Sequence, residues 1–120
     1  MTRPGIERRR AARAKADFAI RFAEPDASRN AATREATLKD LSTNGLCCHY
    51  SEALREMTLV RIALEIPGEA QVHDVQGAVV RCAKLRDVTP PAYEVAVYFT
   101  EISAACRAAL ARFVAAHVAV

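Results

Sequence analysis

The chain has 120 residues, of which 52% are hydrophobic and 26% charged, and its formal net charge is +3. This length suits one domain with a single core. Charged residues interrupt every apolar run short of the ~18 residues that a transmembrane helix needs, and no apolar segment of a secretory signal follows the basic N-terminus. We therefore expect a cytoplasmic protein without membrane insertion.

The positive charge is concentrated near the N-terminus. Residues 1–21 contain seven basic and two acidic side chains, a balance of +5, whereas the rest of the chain contains ten basic and twelve acidic ones, a balance of −2. Four of the basic residues form a cluster: Arg8, Arg9, Arg10 and Arg13. A local positive field indicates a small anionic partner or a flexible arm that binds nucleic acid.

Alternating apolar residues predict strands in the first half of the chain. Phe18, Ile20 and Phe22 alternate with small or polar residues, which is typical of a half-buried strand. A polar turn and a second, weaker strand over AATREATLKDLS follow. The dipeptide Asn44-Gly45 then predicts a hairpin turn with positive φ at both central residues, and GLCCHYS a short third strand.

The second half contains the clearest strand, MTLVRIALEIP, and ends with a change of period. A long extended stretch after Pro67-Gly68 includes Gly77, which indicates a bulge or bend. A further strand, YEVAVYFTEI, precedes a helical stripe that Ser103 is placed to cap. Together these elements predict a mainly β protein, a small six-stranded antiparallel β-barrel with a C-terminal α-helix.

Two short motifs acquire meaning in combination. Asp40-x-Ser42-x-x-Gly45 alone is typical of a strand that ends in a polar hairpin, and the arginine run alone is typical of a solvated arm. With Arg9-x-x-x-Arg13 before the first strand, they resemble the PilZ domain, a family of bacterial receptors for cyclic di-GMP. The resemblance covers nearly the whole chain. It implies a PilZ-like split barrel over residues 17–120 and a basic, ligand-clamping segment over residues 1–16.

The chemistry of the motif residues suits this ligand. A guanidinium group can bind two phosphate oxygens or the O6 and N7 atoms of guanine, so the resemblance implies that Arg9 and Arg13 clamp guanine and phosphate. The Asp40 carboxylate can accept the guanine N1–H and N2–H donors. Ser42 is small and can donate or accept, and Gly45 permits close backbone approach or a left-handed conformation. These residues would form the wall of the site on the barrel.

Two further positions bear on how the ligand binds. Arg8 immediately precedes the motif, a position that the resemblance associates with ligand stoichiometry, and an Arg there implies an intercalated pair of cyclic di-GMP molecules. Ala96 occupies a position where many family members have Gly, so its methyl group could narrow the pocket. Because residues 1–15 have no apolar face of their own, we expect them to order on the bound ligand.

Three alternatives to a cyclic di-GMP receptor follow from the same residues. The first alternative is an enzyme or a metal site. The histidines and the four cysteines (Cys47, Cys48, Cys82 and Cys106) lack the spacing of metal ligands, so we expect no metal, no cofactor and no catalysis, and we expect the thiols to be reduced. Nucleic-acid binding through the basic arm is disfavoured, because the body lacks the aromatic pairs of a base-stacking platform. The third alternative is a PilZ-like protein-interaction adaptor with weak or no nucleotide binding. A receptor of this family would pass its signal to a protein partner that controls motility, biofilm or polysaccharide.

Overall fold

The computed structural model describes residues 14–15, 19–23 and 34–117. These residues form strands and one helix in a simple order along the chain. The strands are β1 (Ala14–Lys15), β2 (Ala19–Ala23), β3 (Arg34–Leu41), β4 (Gly45–Tyr50), β5 (Leu59–Glu65), β6 (Val72–Lys84) and β7 (Tyr93–Glu101), and the helix is α1 (Ala104–His117).

The strands close into an antiparallel barrel. Six of them pair in the order β3-β2-β5-β6-β7-β4, and β4 pairs with β3 to complete the ring. The seventh strand, β1, pairs with Asp40 and Leu41 at the end of β3. It lies on the same edge of β3 as β2, which pairs with the beginning of that strand. The prediction of a six-stranded antiparallel barrel with a C-terminal helix is confirmed, and β1 adds two residues in line with β2.

The barrel interior follows the alternation of apolar residues. In β5, Val60, Ile62 and Leu64 point inward, whereas Arg61 and Glu65 are exposed. The other strands contribute inward-facing side chains in the same way, among them Ile20, Phe22, Leu38, Leu41, Leu46, Cys48, Val75, Val79, Val95, Val97 and Phe99. Burial of this surface is the main stabilising term, at about 25 cal/mol per Å² of apolar area.

The long strand β6 contains two irregularities. Its pairing with β7 shifts between Gln76 and Gly77 and again between Val79 and Arg81. At the first shift the extra residue is Thr100 of β7, so the irregularity occurs next to Gly77, as the sequence predicts, but the bulge lies in the partner strand. The second leaves Val80 as an extra residue, so that Arg81 points outward, where it lies opposite Ala96. Bulges increase the local twist, which helps a small sheet to close on itself.

Helix α1 begins at a side-chain cap. The Ser103 hydroxyl accepts a hydrogen bond from the Cys106 amide at 3.0 Å, as the sequence predicts. The buried face consists of Cys106, Ala109, Leu110, Phe113 and Val114, and the helix packs against β1, where Ala14 is fully buried. β1 belongs to the predicted clamping segment 1–16, so the end of that segment is part of the sheet and the core.

Candidate functional site

Ser42 organises the turn between β3 and β4. Its hydroxyl accepts hydrogen bonds from the amides of Asn44 and Gly45, both at 3.1 Å, and donates to the Gly45 carbonyl oxygen at 3.2 Å. A hydroxyl has one donor and two acceptor lone pairs, so these three bonds use its full capacity. Ser42 is also only 2% exposed. Its side chain therefore shapes the turn, and a ligand contact would have to replace one of these bonds.

The turn is centred one residue earlier than the sequence predicts. The Ser42 amide donates to the Gly45 carbonyl oxygen at 2.9 Å, so Thr43 and Asn44 occupy the centre and Gly45 begins β4. Among the residues described, positive φ occurs at Met57, Gly68 and Asp87, and not in this turn. The expected positive φ at Asn44 and Gly45 is wrong, because the Ser42 hydroxyl supplies the acceptor that this turn needs without a left-handed residue.

Gly45 is required by close approach to β7. A Cβ atom at this position would lie 2.2 Å from the Val97 carbonyl oxygen. Real Cβ atoms do not approach backbone oxygen this closely, so a larger residue would force the two strands apart. Gly45 thus permits a close backbone approach, and the neighbour observed is the protein's own strand β7.

A bulge in β3 turns Asp40 to the outer face of the barrel. The pairing with β4 shifts between Leu38 and Asp40, so Lys39 is an extra residue and Asp40 lies opposite Cys47. Strict alternation from Leu38 would have sent Asp40 inward and Leu41 outward. Instead Leu38 and Leu41 are both fully buried and Asp40 is half-buried. The sequence signal for this bulge is the pair of leucines three residues apart, a spacing that period-two alternation does not accommodate.

Small and charged residues extend this outer face across β4, β7 and β6. In one row, Asp40 lies opposite Cys47, Cys47 opposite Ala96, and Ala96 opposite Arg81. Ala96 is therefore two strands away from Asp40 on the same face. Arg81 donates to Glu94 at 3.3 Å.

Arg9 and Arg13 of the first motif, and Arg8 immediately before it, lie outside the described residues. The described chain starts at Ala14, whose backbone pairs with Leu41, while Lys15 pairs with Asp40. Two of the three residues of the second motif, Ser42 and Gly45, are joined directly by hydrogen bonds. The third, Asp40, is held by the bulge at the end of the same strand.

The cysteines are free thiols in the described part of the chain, as expected. Burial is the main cause that raises the pKa of Cys48 to about 12, with smaller contributions from Cys47 and Cys82, so its thiol stays protonated at neutral pH. Within the described ranges, no group of three or more His, Cys, Asp or Glu side chains is arranged to hold a metal ion. No helix in these ranges has the length and apolarity to cross a membrane.

Comparison with known proteins identifies the family. The family model described as PilZ domain matches residues 7–116, which is most of the chain and includes both motifs. No curated protein matches the sequence. The PilZ domain of YcgR from Escherichia coli, solved with c-di-GMP, is similar at 16% identity with a TM-score of 0.66, over 92% of this chain and 91% of that one.

Two longer proteins share the fold. The Bacillus subtilis inhibitor of motility MotI (DgrA) is 14% identical with a TM-score of 0.72, over 97% of this chain and 51% of that one. K. pneumonia MrkH, solved as a c-di-GMP complex, is 13% identical with a TM-score of 0.67, over 96% of this chain and 52% of that one. The chain thus spans about half the length of MotI and of MrkH, and at these identities the likeness shows the fold.

Proposed function

This chain belongs to the PilZ domain family, and on that premise we propose that it is a receptor for cyclic di-GMP. The observation that carries the proposal is the folded Asp40-x-Ser42-x-x-Gly45 turn. The turn places a carboxylate on the outer face of the barrel, beside the point where the described chain begins after Arg13. YcgR and MrkH, which share the fold, are both described in complex with c-di-GMP.

Asp40 provides the acceptor for the guanine edge. Its half-buried position at the end of β3 limits competition from water without removing the carboxylate from the surface. Two N–H donors of guanine match the two oxygens of a carboxylate, and such charge-assisted hydrogen bonds are the strong ones. Ser42 and Gly45 act by shaping the turn and by closing it against β7, so they position the wall on which the base rests.

Arg9 and Arg13 provide the cationic part of the site. Arg13 is covalently bonded to Ala14, and consecutive α-carbons are about 3.8 Å apart. Ala14, the residue after Arg13, pairs with Leu41, which directly precedes the motif turn. We therefore assign the Arg13 guanidinium to a phosphate or to the Hoogsteen edge of a guanine beside Asp40. Arg9 precedes Arg13 by four residues, and we assign it a second contact of the same kind, with a phosphate or a guanine of the ligand.

Arg8 extends the site to two ligand molecules. An intercalated pair of cyclic di-GMP molecules presents four phosphates, and Arg8 supplies a further cation next to the motif. We assign the bound species as this pair.

The protein transmits its signal without catalysis, in the cytoplasm. In this proposal, Arg9 and Arg13 bind the ligand at the barrel, and the bound complex forms a surface that a partner protein recognises. MotI is described as an inhibitor of motility and MrkH as a transcription regulatory factor, so motility and transcription are the outputs that related folds suggest.

Isothermal titration of the intact chain with cyclic di-GMP tests the proposal. We expect micromolar binding or tighter, which corresponds to about −8 kcal/mol or below. Arg13→Ala and Asp40→Asn should each weaken binding by at least about tenfold, since one charge-assisted contact contributes roughly 1.5–3 kcal/mol. Matched controls are Arg107→Ala, on an exposed part of α1, and Asp74→Asn, whose partner is Arg61. Both controls should bind like the native chain.

The same titration distinguishes the alternatives. Equal affinity for cyclic di-GMP, GTP and an arbitrary oligonucleotide, with a steep dependence on salt, would favour nucleic-acid binding through the basic arm. No heat and no competition with any of these ligands would favour a protein adaptor that has lost nucleotide binding.

A further inference from the structure

Tyr98 carries the most exposed ring among the tyrosine and phenylalanine side chains that the structure describes. It is 55% exposed, whereas Phe22, Tyr50, Phe99 and Phe113 are each less than 8% exposed and Tyr93 is half-buried. Tyr98 lies on the outer face of β7, because its neighbours Val97 and Phe99 point into the core. The ring is therefore not a component of the barrel interior.

The position of Tyr98 links it to the candidate site. Its partner across β4 is Gly45, the last residue of the second motif, and the next amide along β7, that of Phe99, donates to the Asn44 carbonyl oxygen at 2.8 Å. Its partner across β6 is Ala78. Both partners have the smallest possible side chains, a hydrogen and a methyl group, so neither competes with a flat group laid against the phenol ring.

A purely structural role accounts for only part of this arrangement. Ala78 lies between Leu59 and Tyr98 on the outer face and is only 5% exposed, so the flanking side chains cover its methyl group. Any apolar side chain could cover this methyl group, as Leu59 does from β5. Covering Ala78 therefore does not explain why position 98 carries an aromatic ring that is more than half exposed beside the motif turn.

We propose that Tyr98 is a further ligand-binding residue that stacks on a purine base of cyclic di-GMP. This inference rests on the proposed function. Asp40 offers a hydrogen-bond acceptor, and Ser42 and Gly45 shape the turn, but none of them has a ring face. Base–aromatic stacking is a strong, sequence-tolerant contact. Two strand spacings and two residues along β7 separate Asp40 from Tyr98, about 12 Å between α-carbons. A ligand with two linked purines can span that distance, with one base at Asp40 and the other at Tyr98.

Three variants of the intact chain test this role by calorimetric titration with cyclic di-GMP. Tyr98→Ala should weaken binding roughly 5- to 150-fold, the range that loss of one stacked base predicts. Tyr98→Phe keeps the ring and should stay within about twofold of the native affinity. Leu59→Ala is the matched control, because Leu59 is 53% exposed and flanks Ala78 from the opposite side. It should bind like the native chain.

Fluorescence supplies an independent measurement. The sequence contains no tryptophan, so Tyr98→Trp places a single tryptophan at this position. Its emission should change on addition of cyclic di-GMP, with a midpoint that matches calorimetry, and Leu59→Trp should respond much less.

The outcomes separate the two proposals. Native binding with unchanged affinity in Tyr98→Ala, or a silent Tyr98→Trp under conditions where calorimetry registers binding, would overturn the stacking role and leave the receptor assignment intact. Failure of the folded native chain to bind cyclic di-GMP would overturn the receptor assignment and this inference with it.

Discussion

Gly45 and Val97 lie so close across β4 and β7 that a Cβ atom on Gly45 would be 2.2 Å from the Val97 carbonyl oxygen. The glycine of the Asp40-x-Ser42-x-x-Gly45 motif is therefore required by the barrel itself. A substitution at Gly45 would move β7, the strand that carries Tyr98 and Ala96. Loss of ligand binding in such a variant could therefore result from the displaced strand as well as from a lost contact at residue 45.

Gly45→Ala should destabilise the fold strongly. The new methyl group meets backbone atoms, which cannot rotate away, so we expect a loss of about 3 kcal/mol in the free energy of unfolding. Gly68→Ala is the matched control, because Gly68 has nothing within 4 Å of its Cβ position but a φ of +88°. That variant should lose only about 1–2 kcal/mol through backbone strain. Urea denaturation measures both, and equal losses would contradict the clash at Gly45.

Ser42→Ala should destabilise the turn and weaken ligand binding together. Removal of the hydroxyl leaves the Asn44 and Gly45 amides without their acceptor, which should cost about 2 kcal/mol of stability. Ser103→Ala removes a comparable hydroxyl from the cap of α1 and should cost about 1 kcal/mol. Urea denaturation and calorimetry separate the two variants, since only Ser42→Ala should reduce affinity for cyclic di-GMP. Full affinity in Ser42→Ala would show that the turn does not position the site.

Arg8 should set the stoichiometry. Calorimetric titration of the native chain should give a molar ratio near two, because Arg8 provides the extra cation for a second ligand molecule. Arg8→Leu should reduce the ratio toward one, since leucine removes the charge and occupies space. Arg10→Leu is the matched control and should leave the ratio unchanged. A ratio of one in the native chain, insensitive to Arg8→Leu, would mean that Arg8 acts only by long-range attraction, which salt screens.

The ion pair between Glu69 and Arg112 should make stability depend on pH. Arg112 donates two hydrogen bonds to Glu69, at 3.1 and 2.9 Å, and so links the turn after β5 to α1. These bonds are the main cause that lowers the pKa of Glu69 below its usual 4.5, with a minor contribution from His73. A carboxylate with a lowered folded-state pKa contributes stability above pH 4.5, and this contribution is lost as the pH falls through the folded-state pKa.

A double-mutant cycle measures this pH dependence. Glu69→Gln, Arg112→Gln and the double variant should show a coupling free energy at pH 7 that is lost at an acidic pH below the folded-state pKa of Glu69. Arg112 is exposed to solvent and Glu69 is partly exposed, so high salt should also reduce the coupling. A coupling that is the same at both pH values would contradict the role of the charged carboxylate.

The sequence alone determined the class of fold and the identity of the motif. Two local patterns carried this information: the period-two alternation in β5 and β7, and the change of period at Ser103. They predict which residues face inward, because folding buries the apolar face of each strand. The order of the two motifs along the chain indicated the family, and that required no knowledge of how strands pair.

Tertiary structure decided which way the site residues face and what they do. The bulge at Lys39, which turns Asp40 outward, depends on pairing with β4, and the 2.2 Å approach of Gly45 depends on β7, more than fifty residues later. The Ser42 hydroxyl removed the expected positive φ from the turn by supplying a competing acceptor. Short motifs specify chemistry, but bulges and register depend on contacts between strands distant in sequence, so only the closed barrel brought Tyr98 beside Gly45.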